Sequence, residues 1–186
     1  MNHATVALIA CALPLAACDS QPEVSATNAS VEEVAEKVAE AGAGTNFIRA
    51  GKWSSTVTME EVSAPGMPPE LAERMKGATG AGAGKTYESC LTEEEAKRPK
   101  EDFFAGKNNQ CRYDHFTMGD GKIDAKMRCA QGGMNQVMEM AGTYSPERYQ
   151  MRMATKMEGT GGPIEGMTMK MRVDAQRIGA CDAKKA

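Results

Sequence analysis

Methionine and cysteine carry most of the chemistry this sequence offers. Fifteen methionines occur in 186 residues, eleven of them from Met118 onward, and M-x-M spacing recurs at Met138/Met140, Met151/Met153 and Met167/Met169/Met171. Thioether sulfur is a soft donor that suits Cu(I) or Ag(I). In an extended strand, residues i and i+2 lie on one face. If the two later strands are hairpin neighbours, Met151, Met153, Met167, Met169 and Met171 bring their sulfurs together, and these five are the candidate metal ligands. The same thioethers oxidise reversibly to sulfoxides, which would make the face a redox module. Methionine is also an adaptable core filler, and here it takes positions like those of Ile123 and Val173. Packed core is therefore the expected role. A cavity for an apolar, lipid-like ligand and a soft-metal site are the alternatives.

Six cysteines divide by position: Cys11 and Cys18 lie near the N-terminus, leaving Cys90, Cys111, Cys129 and Cys181. Val6 to Leu15 is an apolar run too short to span a bilayer, and it ends in small residues. It has the form of a secretory signal over residues 1–17. "Leu15-Ala16-Ala17-Cys18" resembles the bacterial lipobox, in which the signal is cut before a cysteine that carries diacylglycerol and an N-terminal acyl chain such as palmitate. The n-region departs from the usual pattern, having His3 but no Lys or Arg. Cys18 is thus the expected lipidation site, and the chain is expected to be exported and anchored to the bacterial cell envelope, facing the periplasm.

In an oxidising compartment the four remaining cysteines read as two disulfides. Three pairings are possible. Cys90–Cys111 with Cys129–Cys181 is favoured, because the first closes one insertion and the second ties the C-terminus to a strand. On the loop-entropy picture each would stabilise by roughly 3–4 kcal/mol. A four-cysteine zinc site lacks any C-x-x-C knuckle.

Two stretches imitate ligand sites. "GAGAGKT" looks like a phosphate loop, but counting back from Gly84-Lys85-Thr86 places Thr79 where the first glycine belongs. The flanking "ELAERMKGAT" and "YESC" do not supply a buried strand before it and a helix after it. "GDGKID" has a calcium-loop look, yet that register would put Phe116, Met118 and Met127 at ligand positions, so a hairpin turn explains it better. Beyond the signal His115 is the sole histidine, and it reads as an ordinary strand residue. No serine sits in a G-x-S-x-G elbow, and Glu93-Glu94-Glu95 reads as a solvated helix face. No nucleophile–base pair can be named, so no catalytic residue or cofactor is expected. Net charge is −3 with the two signs interspersed, which gives no footprint for nucleic acid. Nucleotide binding falls with the phosphate loop.

The elements that must position these residues follow from periodicity. Asp19 to Asn28 is polar and aperiodic, suiting a tether. "SVEEVAEKVAEAGAG" predicts a short helix capped by Ser30 and Glu33, with a thin stripe of Val31, Val34, Ala35 and Val38. Residues 18–50 are therefore expected to be a spacer, with a β domain over 51–181 and a tail over 182–186. "KWSSTVTMEEV" alternates, putting Trp53, Val57 and Met59 on one face. A proline-rich loop leads into "ELAERMKG", and "LTEEEAKRPK" predicts a helix capped by Thr92 and Glu95 that stops before Pro99. From Cys111 the period is two repeatedly: "CRYDHFTM", "KIDAKMRC", "NQVMEMAGTY", "YQMRMATKM" and "MTMKMRVDAQR". The expected fold is mainly all-β: an antiparallel meander forming a curved sheet or partly closed barrel of about six to eight strands, with short helical insertions and an N-terminal helix.

With those residues laid out, Gly51 to Cys181 resembles the bacterial domain of unknown function 3617 family. The marks are the opening Gly51-x-Trp53, Cys90-Leu91-Thr92 before an acidic helix, the middle cysteines, and the closing Arg177-x-Gly179-x-Cys181. The resemblance implies a small secreted protein, often a lipoprotein, and carries no site residues with it. A non-catalytic envelope lipoprotein is expected. It would be anchored in the membrane through Cys18 and bind an unknown protein or apolar ligand.

Overall fold

Period-two segments become paired strands in a computed structural model that describes residues 23–42, 47–78, 84–97, 110–131, 134–159 and 165–181. In chain order the elements are β1 (Val24–Ser30), α1 (Val31–Glu40), β2 (Gly51–Ser63), α2 (Pro69–Ala78), β3 (Lys85–Leu91), α3 (Glu93–Lys97), β4 (Cys111–Gly119), β5 (Lys122–Gln131), β6 (Met134–Ser145), β7 (Arg148–Glu158) and β8 (Thr168–Gly179). All eight strands form one antiparallel sheet in the order β1-β4-β5-β6-β7-β8-β2-β3. The meander is β4 to β8. β2 lies against β8, and β1 and β3 are the open edges, so the sheet does not close.

Local chemistry explains the punctuation. Asp120 (φ 47°) and Gly121 (φ 71°) both take left-handed backbone in the two-residue turn between β4 and β5, the demand of a type I′ hairpin. Lys85 and Thr86 open strand β3 rather than a helix, so the glycine run lacks the setting of a phosphate loop; residues 79–83 of that run lie outside the described residues. Both expected helix caps form. Ser30 Oγ accepts from Glu33 N at 3.1 Å while Glu33 Oε2 accepts from Ser30 N at 2.6 Å, and Thr92 and Glu95 repeat the exchange at α3.

The reading of 18–50 as spacer is corrected over 24–40. Val24, Ala26 and Ala29 of β1 are buried against β4, and Val31, Val34 and Val38 of α1 lie at 4%, 0% and 0% exposure. A β-bulge makes this possible. Asp114 is an extra residue of β4 relative to β5, and with Asn28 (φ 49°), unpaired opposite it in an unbroken β1–β4 register, it points Ala26 with Ala29 and Tyr113 with Phe116 inward at a spacing of three rather than two. In β2 a separate shift, at Met59/Glu61, does the same for Met59 and Val62. A strict two-residue reading of β1 finds no apolar face. The bulge restores one.

The favoured disulfide pairing is also corrected. The bonds are Cys90–Cys181 and Cys111–Cys129. Cys111 stands directly opposite Cys129 in the β4–β5 ladder. Lys52 of β2 lies between Cys90 and Gly179, and the chain leaving β8 passes the end of β2 to reach Cys90. Pairing follows lateral neighbours in the sheet, which sequence separation does not reveal.

Side chains on the inner face form two buried clusters. The larger joins β1, α1, β4 and β5 with Phe47, Ile48, Trp53, Tyr144 and Ala175. The smaller is Met59 and Val62, packed by Val57, Met67, Met75, Met169 and Met171 where α2 lies against β2. Complete burial of a side chain such as Phe116 stabilises by about 1.5–3 kcal/mol.

Candidate functional site

Four methionines stand side by side across the sheet. Met140 of β6 pairs with Met153 of β7, Met153 with Met171 of β8, and Met171 with Met59 of β2. Directly opposed residues on adjacent strands hold their Cβ atoms about 4.5–5.5 Å apart and share a face. Met59 is 7% exposed, whereas Met140, Met153 and Met171 are only half-buried. Met140 packs against the larger cluster and Met171 against the smaller; among the described residues Met153 belongs to neither. The row therefore crosses a seam between two cores.

The five methionines singled out in the sequence are distributed unevenly. Met153 and Met171 face each other, and Met169 lies opposite Thr155 on the same face. Met151 is turned over Gly142: a Cβ on that glycine would come 2.5 Å from Met151 Sδ, so the missing side chain is what admits the sulfur. Met167 sits opposite Met157 at the far end of the β7–β8 hairpin, its carbonyl accepting from Met157 N at 2.9 Å. Four residues along a strand separate it from Met171, about 13 Å. Sequence reasoning left Met59 and Met140 out of the ligand set. Met140 carried a signal as half of an M-x-M pair; Met59 carried none, because only strand order brings β2 beside β8.

The opposite face is a ladder of charge. His115 Nε2 and Asp124 Oδ1 lie 2.6 Å apart, Lys126 pairs with Glu139 at 2.8 Å, and Lys170 with Glu61 at 2.6 Å. Lys170's hydrogen bond, helped by Ser63, holds the Glu61 carboxyl below the ordinary carboxylate range, and Glu61 in turn raises Lys170. Asp174 is lowered mainly by the Gln150 amide and then by Arg172. Small side chains at Ala141 and Ala154 leave a shallow groove of about 460 Å³ between these pairs. Groups of three or more His, Cys, Asp or Glu able to hold a metal ion do not occur among the described residues. Cys18 lies outside them.

A third cluster joins the two ends of the β domain. Trp53 Nε1 donates to Arg49 O at 2.9 Å, and Arg177 Nε donates to Ala50 O at 2.7 Å. Gly51 (φ 140°) is required there, because a Cβ would run into the backbone carbonyl of Gly179 and fall 2.5 Å from Arg177 Nε. Gly51 pairs with Leu91, and Cys90 is bonded to Cys181. Gly51-x-Trp53, Cys90-Leu91-Thr92 and Arg177-x-Gly179-x-Cys181 thus meet at one corner of the sheet. Residues 48–181 match the family described as "Protein of unknown function (DUF3617)". The chain belongs to this family. Neither a curated protein nor a solved structure matches it. In this DUF3617 domain the corner is architectural, and the methionine row lies apart from it. The matched region begins after α1, so β1 and α1 are packed onto the family domain from outside its limits.

Proposed function

We propose that this chain is an exported, non-catalytic binding module, held at the cell envelope by acyl chains on Cys18 and meeting its ligand at the methionine seam. The observation that carries the recognition surface is Met153, half-buried and flanked by Met140 and Met171, between two cores that do not merge across it. Thioether side chains adapt to what they touch, which suits a binding face better than a rigid one. Two disulfides favour an oxidising compartment. Val24 begins β1 only six positions after Cys18. An extended segment of that length reaches about 20 Å, so the sheet would ride close to the bilayer.

Two measurements test this. Cys18→Ala should move the protein from membrane to soluble fractions; continued sedimentation with membranes overturns the anchor. An anilinonaphthalene sulfonate dye should bind the native domain and lose binding in Met153→Arg at unchanged circular dichroism. Equal dye binding in a folded variant would overturn the seam.

A further inference from the structure

We infer that the ligand of the seam is a soft monovalent metal ion, Cu(I) or Ag(I), held by the thioethers of Met140, Met153 and Met171. This rests on the seam reading and narrows it to one class of ligand. Three sulfurs from three adjacent strands are in lateral register, with Met153 at the centre and a methionine on each side. Neighbouring Cβ atoms about 4.5–5.5 Å apart, on side chains with three rotatable bonds, let the sulfurs converge on one ion without backbone movement. Met59 extends the row from β2 as a fourth, more deeply buried sulfur. Met151 is occupied over Gly142 and Met167 is remote, so neither competes.

The surroundings select the kind of ion. Thr155, between Met138 and Met169 in the neighbouring row, is the buried hydroxyl nearest the three sulfurs in register. Hard cations such as Ca²⁺ or Mg²⁺ need several oxygens, and the row offers none. Cu(I) and Ag(I) accept neutral sulfur donors and bring a single charge to an apolar face. Half-burial leaves Met153 reachable, whereas a fully packed methionine such as Met127, 2% exposed, is closed to any ion.

The test uses the Cys18→Ala chain, reduced conditions for Cu(I), and Ag(I) as a redox-inert probe. Titration followed by the carbon shifts of methionine ε-methyls should move Met140, Met153 and Met171 together and leave Met118 and Met127 in place. Competition with a Cu(I) chelator should give affinity tighter than micromolar. Met153→Leu should weaken it by roughly tenfold or more, the equivalent of about 1.4 kcal/mol, while Met118→Leu leaves it unchanged. Micromolar or weaker binding, or full affinity in Met153→Leu, overturns the ion. If metal fails while the dye still binds and Met153→Arg abolishes it, the ion falls and the seam stands; if the dye also fails, both fall.

Discussion

On the inner face of the sheet Phe116 lies at 0% exposure and Tyr113 at 1%, in one core with Val34 and Val38 of α1, both at 0%, while Met138, Met140, Met151, Met153, Met169 and Met171, on the same face of the sheet, are all only half-buried. The first group has a helix laid over it, and rings that meet edge to face, Tyr113 and Phe116 with centroids 5.4 Å apart. The second group has flexible side chains and two cores that stop short of each other. Shape-specific residues mark the half that holds the fold. Adaptable thioethers fill the half that stays only partly buried. What differs is stiffness, since rings and β-branched valines hold few shapes and thioethers adapt.

Removing residues 1–40 should break the comparison outright. Without β1 and α1, Phe116 and Tyr113 are uncovered, and the domain should lose its cooperative unfolding transition and become sensitive to limited proteolysis. A fragment that stays as resistant as the full chain would mean that α1 adds nothing to the core. At single residues, Phe116→Ala should cost about 3–5 kcal/mol in denaturant unfolding. Met153→Leu, a volume-conserving change at the seam, should cost less than about 1.5 kcal/mol. Equal costs would erase the distinction between the halves.

The disulfides sharpen it. Cys90–Cys181 closes 91 residues and Cys111–Cys129 closes 18. Loop entropy assigns them about 4.5 and about 3 kcal/mol, so the Cys90→Ala/Cys181→Ala pair should unfold at lower denaturant than the Cys111→Ala/Cys129→Ala pair. The reverse order would place the weak point in the packed half.

Smallest are the effects of pH, and they differ in sign. Glu61 and Asp174 on the outer face have carboxyls lowered by Lys170 and by Gln150. A depressed carboxyl stabilises above its unfolded value, about 4, and that contribution disappears as pH falls through the lower folded value. Burial raises the Tyr113 phenol, so its contribution holds below the unfolded value of about 10 and disappears as pH rises beyond it. Asp174→Asn with Glu61→Gln should flatten the acid limb of the melting temperature, and Tyr113→Phe the alkaline limb. An acid limb unchanged in the double variant would remove the outer ladder from the stability of the sheet.

Much of the fold was legible because its causes are local. Alternation in "KIDAKMRC" and "YQMRMATKM" reports one dry face, "GDG" reports a turn that needs left-handed backbone, and Ser30 with Glu33 reports a helix start. β1 escaped detection because its inward residues are two alanines and a valine whose spacing a bulge shifts from two to three. α1 showed its thin valine stripe, but the partner face on β4 lies some eighty residues away in sequence.

By itself, the sequence determined β2 and the strands from β4 to β8, the caps, the hairpin turn after β4 and the presence of two disulfides, since each depends on a few neighbouring residues; β1 and β3 it did not show. Strand order decided the rest. Which cysteines bond, and which methionines stand in one row, depends on the chain bringing β2 beside β8 and leaving β1 against β4, a choice made by burying whole faces together rather than by any local pattern.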